Sequence, residues 1–187
     1  HQVLVALTLQ SGIRAEDLQR LFRVLTDDAA RMMSGKYALA DAEPEFAAAP
    51  ARLTVTLGVG ARVVSLLLGS GAVPSWLGPL PPFSFDRLED AWSGGDLVLQ
   101  VASDDPITMV HTTRMLLKDC RSFAVVHWYQ QGFRNARGTH PEGRTMRNLM
   151  GQIDGTVNAA PGSKQLADIV WRDGPGDAPW LQGGTTM

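Results

Sequence analysis

A chain of 187 residues with 44% hydrophobic side chains suits one core of ordinary size plus a tail, and its formal net charge of −2 supplies no basic field for nucleic acid. No apolar run reaches the roughly 18–20 residues that cross a bilayer, so no membrane span is expected. The single cysteine, Cys120, excludes an internal disulfide framework and any multi-cysteine metal or iron–sulfur site.

The chain opens at His1 without a charged-then-apolar leader, which leaves open a targeting segment removed or left out. Residues 3–9 are short, branched and apolar, and read as a first strand. Over residues 14–33 the apolar side chains Leu18, Leu21, Phe22, Leu25, Ala29 and Met32 recur at spacings of three and four, which predicts an amphipathic helix. Leu53, Val55 and Leu57 then alternate with Thr54 and Thr56, a period of two that marks a second strand, ended by Gly58 and Gly60.

Residues 69–95 carry Pro74, Pro79, Pro81 and Pro82 among Trp76, Phe83, Phe85 and Trp92, and read as a packed surface loop. A third strand is expected at 96–101. Asp105-Pro106 then supplies an N-cap side chain followed by proline at the first helical position, so a helix should run to about Cys120. Residues 123–129, rich in aromatic and branched side chains, read as a fourth strand with Trp128 in the core.

The resulting order is β-α-β-β-α-β. It predicts an α+β, ferredoxin-like domain over residues 1–132, with a four-stranded antiparallel sheet and two helices on one face. Residues 133–187 turn polar and Gly-rich, with a weak helical pattern at 164–171, and read as a strap rather than a second core. Many functions use this fold, so the chemistry must come from a site.

The informative string is Arg147-Asn148-Leu149-Met150-Gly151-Gln152-Ile153-Asp154-Gly155-Thr156-Val157-Asn158. Its centre is a G-x-x-D-G pattern. Alone, an Asp-Gly pair reads first as an ordinary turn, in which the Asp bonds its own backbone and Gly supplies positive φ. The longer string resembles the dye-decolorizing peroxidases, as does Trp92-Ser93-Gly94-Gly95-Asp96-Leu97 ahead of the third strand. The loop Trp76-Leu77-Gly78-Pro79-Leu80-Pro81-Pro82-Phe83 is similar to that of the exported, twin-arginine-dependent subgroup.

The resemblance implies an N-terminal half, followed in the family by a second ferredoxin-like domain against which haem b mainly lies. It further implies that the proximal His and a distal Arg belong to that second domain, so that no metal ligand is expected here. Asp154 is implied as the distal catalytic residue, with the backbone of Gly155, Thr156 and Val157 bordering the haem. The implied reactants are hydrogen peroxide and a bulky phenolic or dye-like electron donor. A carboxylate placed there can take a proton from one peroxide oxygen and return it to the other, acting as base and then acid. Gly151 and Gly155 would let the backbone turn tightly and lie against a planar cofactor, which a Cβ would obstruct.

The histidines give no competing metal centre. No two of His111, His127 and His140 stand three or four residues apart, and each reads as structural or solvent-facing. His1 offers an amine and a ring to copper, yet no second His is evident for such a site. The Trp and Tyr side chains read first as packing, with Trp171 and Trp180 near a surface or the further domain. If a second domain covers one sheet face, a half lacking it should expose apolar surface and associate into homo-oligomers. A haem-free α+β module serving in binding or assembly stands as the alternative, although such a module would have no reason to hold Asp154 inside the full string.

Overall fold

The computed structural model describes residues 1–141, 143–153, 155, 157–172 and 178–185. The chain divides into two compact units, His1–Phe133 and Arg134–Met187. In the first unit the order is β1 (Gln2–Leu9), α1 (Ala15–Met33), β2 (Thr54–Val59), α2 (Ala61–Leu68), β3 (Leu97–Ala102), α3 (Pro106–Cys120) and β4 (Ala124–Gly132); in the second it is α4 (Lys164–Val170).

The strands form one sheet in the order β2-β3-β1-β4, with every neighbouring pair antiparallel. Thus β1-α1-β2 and β3-α3-β4 each step over one intervening strand, the two split βαβ units read from the sequence. Alternation in the strands decides which side is buried. Val3, Val5, Leu7 and Leu9 of β1 join Leu97, Leu99 and Val101 of β3 in a core with Leu18, Leu21, Leu25 and Met32 of α1 and Met109, Leu116 and Cys120 of α3. The opposite face is more open, with Thr54 and Thr56 exposed and Leu4, Thr8, Val98 and Gln100 half-buried.

Local chemistry fixes the helix ends. Asp17 reaches back to accept the Arg14 amide at 3.0 Å, and Asp105 accepts the Thr108 amide at 2.7 Å ahead of Pro106. Leu21 on α1 is fully buried, so replacing it by Ala removes packed methyl groups and leaves a cavity. Leu21→Ala should cost about 2–5 kcal/mol in denaturant unfolding. A cost below about 1 kcal/mol would show that α1 does not seat the core described here.

Four sequence expectations need correction. Gly58 does not end β2: the strand runs on to Val59, and a Cβ on Gly58 would lie 2.5 Å from Val98 Cγ1 of β3. The glycine permits close approach inside the ladder. Residues 61–68 form a helix that the sequence reading lacked, opening after Gly60, ending at Gly69 and burying Val63 and Val64. The loop at 69–95 lies on the surface but does not pack its large side chains inward, since Leu80 and Phe85 are each 80% exposed. Phe83 and Phe85 stack on each other instead, with ring centroids 5.7 Å apart.

Trp128 is half-buried rather than in the core, and its indole donates to Gly94 O at 2.9 Å. The cause is a bulge in the β1–β4 pairing between Ala6 and Leu7. Ala6 faces Trp128 and Leu7 faces Val126, which leaves His127 unpaired and turns the strand. Among the described residues, no helix is long and apolar enough to cross a membrane.

Candidate functional site

The motif string lies in the second unit, and most of it is a tight turn. Arg147 and Ile153 pair as an isolated antiparallel bridge. Asn148 organises everything between them: its backbone amide donates to Gln152 O at 2.8 Å, and its carbonyl accepts from the Gly151 amide at 3.0 Å. Its side-chain Oδ1 accepts from the Met150 and Gln152 amides at 3.0 and 3.1 Å. Arg147 Nη1 adds a bond to Gly151 O at 2.6 Å. Asparagine suits this place because its short side chain bonds backbone two and four residues on. The sequence reading gave Asn148 no role; an Asn just ahead of a Gly-containing turn was the available signal.

Gly151 and Gly155 both sit in the left-handed region, at φ of 86° and 92°. At Gly155 there is a second constraint, because a Cβ would meet Asn158 Nδ2 at 3.0 Å. The Asn158 amide closes the following turn onto Gly155 O at 3.2 Å. Of the four site residues named from the sequence, Gly155 and Val157 are described; Asp154 and Thr156 lie outside the described residues.

What this loop offers is apolar and outward. Leu149 is 87% exposed, Met150 90% and Val157 95%, with Ile153 also exposed. Leaving large apolar side chains in water costs free energy in proportion to their area, so such a cluster reads as a surface made to be covered.

Two of the histidines outside this loop have engaged rings. His111 on α3 is buried and donates from Nε2 to Asp41 Oδ2 at 2.8 Å, while Arg114 approaches its Nδ1 at 3.5 Å. His127 Nε2 stands 3.0 Å from both Asp90 O and Ser93 O, so that nitrogen must carry the proton, and Nδ1 lies 3.3 Å from Thr8 Oγ1. His140 is exposed. Burial, and then the nearby Asp119 charge, push the Cys120 thiol up to about 12, which keeps it protonated and a poor ligand. Among the described residues, no group of three or more His, Cys, Asp or Glu side chains is placed to hold a metal ion.

Comparison with known proteins gives consistent matches. Residues 1–134 match the family model described as Dyp-type peroxidase, N-terminal. A dye-decolorizing peroxidase of Thermobifida fusca is 37% identical over 142 residues, which is 74% of this chain and 33% of that protein. The crystal structure of a DyP-type peroxidase from Cellulomonas bogoriensis aligns with a TM-score of 0.90 at 45% identity, covering 97% of this chain and 50% of that one. Ferric DtpA from Streptomyces lividans aligns with a TM-score of 0.87 at 34% identity, covering 97% of this chain and 49% of that one. This chain therefore spans about half, or less, of the length of the relatives it matches.

Proposed function

The chain belongs to the Dyp-type peroxidase family, and on that premise we propose that it forms the distal-side half of a haem b peroxidase that uses hydrogen peroxide to oxidise bulky phenolic or dye-like donors. The observation that carries the proposal is the loop at 147–157. Its backbone is held by Asn148 and two positive-φ glycines, and it presents Leu149, Met150, Ile153 and Val157 to solvent. That surface fits one face of a porphyrin, which is large, flat and apolar, while the bare Gly155 lets Asn158 close the turn behind it. On this reading the fit is to one side only: His111 and His127 have both ring nitrogens engaged, Cys120 is held protonated, and the exposed His1 and His140 are given no part.

The iron of a bound haem would supply the electrons that cleave the O–O bond. Asp154, on this reading, takes the proton from one peroxide oxygen and delivers it to the other, while the loop excludes water from that exchange. The iron ligand comes from a second, C-terminal half, as do further groups around the peroxide. The strap at 133–187 is the connection to that half. Export from the cytoplasm belongs to the same reading and rests on the Pro-rich loop beginning at Trp76.

A hybrid tests the proposal. This chain is joined to the C-terminal half of the Cellulomonas bogoriensis protein, the part it does not cover, and loaded with haem. The hybrid should oxidise a bulky anthraquinone dye with peroxide. A hybrid that folds and takes up haem but leaves the dye unchanged, beside an active parent, would favour the haem-free binding module instead.

A further inference from the structure

Away from the motif loop, α1 and α3 bring two carboxyl groups together inside the first unit. Asp28 on α1 is 1% exposed, and its Oδ1 accepts the Leu39 amide at 2.9 Å. Asp119 on α3 lies within hydrogen-bonding reach of Asp28. Its Oδ2 is buried and, among the described residues, has no donor partner. Two ionised carboxylates are both acceptors and can only repel; a single proton held between them turns the same contact into a hydrogen bond.

The charged groups around the pair do not replace that proton. Lys118, beside Asp119, donates to Ala40 O at 2.7 Å, and its charge opposes the burial only in part. On α1, Arg31 is held by Asp27 at 3.1 Å. On the loop that follows α1, Asp41 is held by His111 at 2.8 Å, and Glu43 pairs with Arg114, while Lys36 is exposed. Cys120 stays protonated.

That same loop, residues 34–53, is fastened at three successive residues: Leu39 to Asp28, Ala40 to Lys118 and Asp41 to His111. Ala38 just before them is buried in the core. We propose that Asp28 and Asp119 share one proton and form a proton-dependent latch that holds the 34–53 loop on α1 and α3. When the proton leaves, the two carboxylates repel, the contact that seats Asp28 against α3 is lost, and the first of the three fastenings, Asp28 to the Leu39 amide, is weakened. The inference rests on the first unit alone and is independent of the haem reading.

The direction with pH follows from the two states. Burial first, and the Asp28 charge second, raise the Asp119 carboxyl from 3.8 to about 6 in the folded chain. The folded chain therefore holds an extra proton between those two values. The stability this confers is complete below the unfolded value, is lost as pH rises through about 6, and stays lost at neutral pH.

Two measurements on the full-length protein test the latch. Native-state hydrogen exchange of the Leu39 amide, corrected for its intrinsic rate, should quicken by up to about tenfold between pH 5 and pH 7, the rest of the shift falling below that window. Asp119→Asn, whose amide donates at every pH, should abolish that change and protect Leu39 more than the unaltered protein does at pH 7. Parallel pH profiles for the two proteins overturn the proposal. Should the variant not fold, carbon NMR titration of the Asp119 carboxyl in the unaltered protein decides: a midpoint near 6 supports the latch, and one near the ordinary Asp value of about 3.9 overturns it.

Discussion

Asp154→Asn in the haem-loaded, full-length protein should slow its reaction with hydrogen peroxide by roughly 10²–10⁴-fold, the usual contribution of general acid–base catalysis. Asn keeps the size of Asp and much of its hydrogen bonding, but it can neither accept a proton from one peroxide oxygen nor return it to the other. Haem content should stay unchanged, because on the proposed reading the cofactor is held by the apolar face of the loop and by a ligand from the second half. Stopped-flow mixing with peroxide, followed at the Soret band, measures the rate directly. An unaltered rate would move the proton transfer, and the stabilisation of charge as the O–O bond breaks, to an Arg of the second half. Asp154 would then be an Asp-Gly turn residue within a solvent network.

How far the sequence reached can be followed residue by residue. β1, α1, β3 and α3 were legible because their burial is one-sided and repeats: Val3, Val5, Leu7 and Leu9 at a period of two, Leu18, Leu21, Leu25 and Met32 at three and four. α2 was not, because Ala-Arg-Val-Val-Ser-Leu-Leu-Leu is short and apolar on several sides, a pattern that periodicity cannot divide between helix and strand. Gly58 was misread for a related reason. In one dimension a strand glycine looks like a terminator, and only the neighbouring Val98 shows why it stays inside the ladder.

Trp128 failed through register. A bulge at His127 shifts the pairing by one residue, and no single-strand pattern announces that. In the motif loop, the turn requirement at Gly151 and Gly155 was legible and both glycines have positive φ. The part played by Asn148 was not, because a side chain that accepts two backbone amides is a property of the closed turn. The Asp28–Asp119 pair lay further out of reach, since two helices far apart in sequence must pack before the carboxyl groups meet.

The isolated chain of residues 1–187, mixed with ferric haem, should give no stable, stoichiometric Soret band of a His-ligated iron. Freeing His111 would leave Asp41, whose side chain is fully buried, with the Glu43 amide but no imidazole to pair with. Breaking a buried pair in that way costs about 3–5 kcal/mol, and seating a haem there would also require opening the contact between α3 and the 34–53 loop. His127 would have to give up its bonds to Asp90 O and Ser93 O, which tie the bulged β4 to the segment before β3. Cys120 would have to lose a proton held up to about 12. Only His140 is an exposed imidazole in the second unit, the unit that carries the motif loop. A band that vanished in His140→Ala would therefore place an axial ligand within this chain and remove the need for one from the second half. A band that survived both His140→Ala and the replacement of the exposed His1 by Ala would require His111 or His127 to have left its hydrogen bonds, and the haem-loaded chain should then melt below the haem-free one.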